Sequence, residues 1–131
     1  METWKVLLVD DEVEFVTTLA ERLKLRGMDA SIATDGAEAL KRIDEDRPQL
    51  VLLDVLMPGL GGLAVLDRIS AKDPQIKVIL LTGRGSAQED DHRIPRGAFD
   101  YLIKPVNIDE LIEKMREALN AASRTKPGGK G

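Results

Sequence analysis

Along this chain, near-continuous apolar runs alternate with stretches in which apolar residues recur every three or four positions. Trp4 to Val9, Gln49 to Leu53 and Lys77 to Leu81 are runs of the first kind, and Tyr101 to Ile103 is a shorter one. Runs that are apolar at every position predict parallel strands covered on both faces. Asp29 to Ala33 is more polar and suits the edge of a sheet. Glu12 to Arg26 carries Val13, Val16, Leu19, Ala20 and Leu23 at helical spacing, and Gly27 is placed to end that helix in a left-handed cap. Asp35-Gly36 opens a second helix through about Asp46, with Ala37, Ala39, Leu40 and Ile43 as its apolar stripe and Pro48 closing it. Gly62 to Lys72 predicts a third, through Leu63, Val65, Leu66 and Ile69. Ile108 to Ala122 predicts a last one, through Leu111, Ile112, Met115 and Leu119. Strand and helix alternate without internal repeats, which favours an α/β doubly wound parallel sheet of five strands with right-handed crossovers and helices on both faces.

One segment breaks the alternation. Between Gly83 and Gly97 only Ala87 and Ile94 are clearly apolar, and the middle reads Gln88-Glu89-Asp90-Asp91-His92-Arg93. Pro95 removes a donor and pushes Ile94 out of helical geometry. The fourth helix, which should lie here, is therefore expected to be short, displaced or disordered.

Composition narrows the class. A chain of 131 residues, 43% of them hydrophobic, suffices for one core, expected over residues 1–122. Ser123 to Gly131 cannot pack a core and reads as a flexible tail or linker. Lys and Arg total 19 against 23 Asp and Glu, and a net charge of -4 argues against nucleic acid as this domain's own ligand. The chain has no cysteine, hence no disulfide frame or thiol nucleophile. It shows no signal-peptide pattern and no apolar run of membrane-spanning length, so a cytoplasmic protein without membrane contact is expected.

The chemistry sits at the strand ends. Asp10 and Asp11 follow the first run, Asp54 the third, Thr82 the fourth and Lys104 the last. The carboxyl edge of an open parallel sheet is where such folds build their sites, so three carboxylates, a hydroxyl and an ammonium are expected to converge. Taken singly, each has a plainer reading: Asp10-Asp11 as a helix N-cap, Lys104 as a solvated charge, Tyr101 as a residue at the core edge. His92 sits among charged neighbours and reads as exposed. Gly59, Gly61 and Gly62 read as a turn after the third strand rather than a phosphate loop.

Val9-Asp10-Asp11-Glu12, Leu53-Asp54-Val55-Leu56-Met57-Pro58-Gly59, Leu81-Thr82-Gly83 and Asp100-Tyr101-Leu102-Ile103-Lys104-Pro105 together resemble the receiver domain of bacterial response regulators, over roughly residues 4 to 122. The resemblance implies a flavodoxin-like sheet of order 2-1-3-4-5. It implies that Asp54 accepts a phosphoryl group from a sensor histidine kinase or phosphotransfer protein. It implies Mg2+ held by Asp11, Asp54 and the Leu56 carbonyl, with Asp10 acting largely through water. Thr82 and Lys104 would contact the phosphoryl oxygens, Thr82 and Tyr101 would form the switch, and the Lys104-Pro105 peptide would be cis. Leu56 and Arg84 would flank the path of attacking water. An output domain, a downstream protein or a second copy in a homodimer would be the partner of the switched surface.

Two other readings compete. A degenerate receiver would bind partners without phosphorylation, a reading motivated by the unusual segment before Pro95. An aspartyl-nucleophile phosphatase of the haloacid-dehalogenase kind would carry a second Asp two residues after the nucleophile, where this chain has Leu56. On the resemblance the domain catalyses only its own phosphorylation and dephosphorylation and is not an enzyme in the turnover sense.

Overall fold

Five parallel strands form one sheet in the order β2-β1-β3-β4-β5. They are β1 (Lys5–Val9), β2 (Asp29–Ala33), β3 (Leu50–Asp54), β4 (Lys77–Thr82) and β5 (Asp100–Ile103). The computed structural model describes residues 3–57, 59–83 and 94–124. Four helices lie among them: α1 (Val13–Leu25), α2 (Gly36–Asp46), α3 (Gly62–Lys72) and α4 (Ile108–Arg124). The helix expected between β4 and β5 falls mainly on 84–93, outside the described residues, as do Arg84 and His92. Most of the expected tail also lies outside them, and α4 runs past its predicted end at Ala122 to Arg124.

Every residue of β3 is buried, as expected for a strand with a neighbour on each side and helices on each face. Alternate side chains feed two separate cores. Val6, Leu8, Leu50, Leu52, Ile79 and Leu81 pack with Val16, Leu19, Ala20 and Leu23 of α1 and Leu111, Met115 and Ala118 of α4. Leu7, Val9, Val51, Leu53, Val78 and Leu80 pack with Ala39 and Ile43 of α2 and Val65, Leu66 and Ile69 of α3. Truncating one of these fully buried leucines should cost about 3 kcal/mol.

Two positions depart from the sequence expectation for the same reason. Ala37 is exposed and Leu63 is 44% exposed, although both were assigned to buried stripes. The stripes start one residue earlier, on glycine: Gly36, Ala39, Leu40 and Ile43 in α2, and Gly62, Val65, Leu66 and Ile69 in α3. Ala37 and Leu63 stand about 100° round the helix from that line. The glycines are there because backbone approaches too closely for a side chain. A Cβ on Gly62 would lie 2.2 Å from the Asp54 carbonyl oxygen, and one on Gly36 would lie 2.7 Å from that of Leu60.

Gly27 follows α1 at φ 89, and its N–H bonds the Lys24 carbonyl at 2.9 Å, so the helix ends on the left-handed residue expected there. No helix among the described residues is long and apolar enough to cross a membrane.

Candidate functional site

The carboxyl ends of β1, β3, β4 and β5 place their next polar groups against one another. Asp10 leaves β1 with its N–H bonded to the Ala33 carbonyl of β2 at 3.1 Å, which keeps its peptide in the sheet. Its side chain is only 1% exposed, and Oδ1 accepts the Glu12 N–H at 2.9 Å. Asp11, the next residue, is exposed. Asp54 is the last residue of β3, buried at 4% exposure, and its Oδ1 accepts the Leu56 N–H at 3.3 Å. The first turn of α3 abuts the Asp54 peptide, since the Gly62 N–H bonds the Val55 carbonyl at 3.2 Å. Each of Asp10, Asp11 and Asp54 offers an oxygen within 4.8 Å of the other two.

Thr82 ends β4 with no exposed surface, and its Oγ1 has no hydrogen-bond partner among the described residues. A buried hydroxyl without a partner is costly and is open to a hydrogen bond from outside the described residues. Lys104 follows β5 on a backbone pinned by its own N–H, which bonds the Thr82 carbonyl at 2.7 Å. The Lys104-Pro105 peptide is cis. The Lys104 ammonium lies 2.8 Å from Asp10 Oδ2, 2.7 Å from Glu12 Oε1 and 3.7 Å from Asp54 Oδ1. It also stands 4.6 Å from the centre of the Phe15 ring, within cation–π range. The sequence therefore brings Asp10, Asp11, Asp54, Thr82 and Lys104 to one edge. Tyr101 is on β5, half-buried and packed against the α2/α3 core. An open cleft of about 640 Å³ runs over Asp11, Asp54, Leu56 and Lys104.

Burial pushes the Asp54 carboxyl up from 3.8 to about 7, helped by the Asp10 charge and opposed by Lys104 and the Leu56 N–H. Burial also works against the charged form of Lys104. Its hydrogen bonds to Asp10 and Glu12 and the nearby carboxylate charges outweigh this and hold the ammonium above its ordinary value of 10.5. The gathered carboxylates add to burial in raising Asp54 and outweigh burial in raising Lys104. Three carboxylate oxygens this close form a hard, all-oxygen donor set of the kind that suits Mg2+.

Glu12 and Phe15 were not singled out from the sequence. Glu12 was visible as part of the Asp-Asp-Glu run, but only the fold shows that it reaches Lys104, 92 positions later. Gly62 was read as a turn residue, whereas its absent side chain is what lets α3 sit against Asp54.

Residues 6–116 match the family model described as response regulator receiver domain. The chain belongs to that family. The receiver is 36% identical over 121 residues to the transcriptional regulatory protein PrrA of Mycobacterium leprae, a match covering 92% of this chain and 52% of the relative. It is 41% identical over 119 residues to the uncharacterised transcriptional regulatory protein YkoG of Bacillus subtilis, covering 91% and 52%. Among solved structures, a CheY-like response regulator receiver domain protein from Methanospirillum hungatei superposes with a TM-score of 0.86 at 28% identity, covering 95% of this chain and 100% of the other. The receiver thus spans about half the length of the curated relatives it matches. Receivers are signalling domains of two-component systems rather than turnover enzymes. They typically hold Mg2+ at an acidic pocket, and the Asp10, Asp11 and Asp54 cluster has the composition of one.

Proposed function

We propose that this receiver accepts a phosphoryl group from the phosphohistidine of a sensor kinase or phosphotransfer protein onto Asp54. A carboxylate oxygen of Asp54 attacks phosphorus, the P–N bond breaks, the histidine leaves with the electron pair, and an acyl phosphate forms. Burial at the strand end fixes the Asp54 carboxylate, and the cleft above it leaves an approach open. Lys104, already 3.7 Å from Asp54, offers its ammonium to a phosphoryl oxygen. The unpaired Thr82 hydroxyl donates to another. When bound by Asp11, Asp54 and the Leu56 carbonyl, with Asp10 beside them, Mg2+ supplies positive charge that permits two anions to meet.

The observation that carries this reading is the convergence of Asp10, Asp11 and Asp54 at one sheet edge with the Lys104 ammonium, 2.8 Å from Asp10 and 3.7 Å from Asp54. The same convergence disfavours a phosphorylation-independent module.

Movement of Thr82 toward the phosphoryl group, coupled to Tyr101 on the neighbouring strand, would alter the surface near β5 and α4 that meets a downstream partner. The names of the relatives point to transcription as the output, through a further domain or a separate protein, with self-association as one form of that contact. Intact-mass spectrometry after incubation with acetyl phosphate tests the chemistry. The expected result is a gain of one phosphoryl group that requires Mg2+ and is lost in Asp54→Asn. No adduct on the wild type overturns it.

A further inference from the structure

Glu12 occupies the N-cap of α1, yet its side chain makes no capping bond. That position ordinarily takes Ser, Thr, Asp or Asn, whose short side chains bond the first free N–H groups. Glutamate is too long for the task, and here it turns the other way: Oε1 lies 2.7 Å from Lys104 Nζ. The ammonium has three donors. One goes to Asp10 at 2.8 Å and one to Glu12, while Asp54 Oδ1, at 3.7 Å, lies beyond hydrogen-bond range. Phe15, one turn along α1 from Glu12, sets its ring 4.6 Å from the same nitrogen. The β1-to-α1 corner therefore holds the ammonium through Glu12 and Phe15, while Asp54 stays beyond hydrogen-bond range.

We propose that Glu12 is a positioning residue that restrains the Lys104 ammonium and thereby slows phosphoryl acceptance. The inference rests on the proposed phosphorylation of Asp54. The backbone of Lys104 is fixed by its bond to the Thr82 carbonyl, so the side chain alone must swing to meet a phosphoryl oxygen. Any such swing works against the 2.7 Å contact with Glu12. Glu12 is 61% exposed, so the pair is screened by water, and its release should change rates by about two- to five-fold rather than by orders of magnitude.

The test compares initial phosphorylation rates with acetyl phosphate at saturating Mg2+ for the wild type, Glu12→Gln, Glu12→Asp and Glu14→Gln. In this reaction an Asp54 oxygen attacks phosphorus, the bond from phosphorus to the acetyl oxygen breaks, and acetate leaves with the electron pair. Glu12→Asp keeps the charge but is too short to hold the lysine. Glu14→Gln removes the same charge from an exposed position in the first turn of α1 without touching Lys104. Both Glu12 variants should be faster by about two- to five-fold and Glu14→Gln unchanged, with the gain shrinking in high salt. The side-chain ammonium resonance of Lys104, sharp in the wild type, should broaden in both Glu12 variants, a change that altered fold stability alone does not produce. Acceleration confined to Glu12→Gln, or shared by Glu14→Gln, would reveal a general field effect and overturn the restraint, as would no acceleration at all. A wild type that takes up no phosphoryl group overturns the proposed function instead, and the lysine resonance still decides whether Glu12 holds Lys104.

Discussion

Replacing Asp54 by Asn should stabilise the metal-free receiver, although it removes the residue on which the proposed chemistry depends. Burial and the Asp10 charge raise the Asp54 carboxyl from 3.8 to about 7. A carboxyl whose pKa is higher folded than unfolded binds its proton more tightly in the native state. Its penalty is therefore absent below about pH 4, grows as pH rises through this interval, and is complete above about pH 7. At about 1.36 kcal/mol per pH unit, the shift corresponds to an upper bound of about 4 kcal/mol. The new amide keeps an oxygen for the Leu56 N–H but buries an NH2 group, which costs about 1 to 3 kcal/mol unless Asp10 accepts from it. A net gain of about 2 kcal/mol at pH 8 follows, or a rise of about 6 to 10 °C in Tm for a domain of this size. Urea denaturation in EDTA at pH 5 and pH 8 measures it. The advantage of Asp54→Asn should be large at pH 8 and small at pH 5. Saturating Mg2+ at pH 8 should narrow or reverse it, because the ion binds the native wild type more tightly. Equal stability of the two proteins at pH 8, or the same advantage at both pH values, refutes the electrostatic reasoning.

Three further outcomes are expected. Asp11→Asn should weaken Mg2+ binding in calorimetry by about tenfold or more while moving Tm in EDTA little, because Asp11 is exposed and bears less of the burial cost. Gly62→Ala should cost about 3 kcal/mol in urea denaturation and also slow phosphorylation, since its Cβ would meet the Asp54 carbonyl at 2.2 Å and push the end of β3 aside. Leu56→Asn should leave stability almost unchanged, since Leu56 is 62% exposed, and should shorten the lifetime of the phosphorylated form measured by loss of the mass adduct.

The strands and helices were legible because the two periodicities are cleanly separated here, and the ends of α2 and α3 were marked by Asp35-Gly36, Pro48 and Gly62. The site was legible because its groups sit at strand ends, and parallel strands must bring those ends together. What stayed hidden has a common character. Ala37 and Leu63 were placed on buried stripes because apolar counting gives glycine no weight, yet Gly36 and Gly62 hold the closest positions. Glu12 and Phe15 were passed over because their partner, Lys104, lies beyond the end of β5, and the length of a side chain says nothing about which distant residue it will reach. That Thr82 Oγ1 has no hydrogen-bond partner among the described residues is likewise a property of packing that no local pattern carries.

The sheet order gives the site unequal stiffness. Asp10, Asp54 and Thr82 stand at the ends of β1, β3 and β4, each paired with a strand on both sides. Tyr101 belongs to β5, a strand of four residues paired with β4 alone. Displacing a carboxylate means shearing two ladders; displacing the tyrosine strains one short ladder at the rim. The proposed phosphoryl-accepting residues are thus clamped, and Tyr101, the proposed switch residue, rides on the part of the sheet that yields first. A signal generated at the rigid centre has a compliant margin through which to leave.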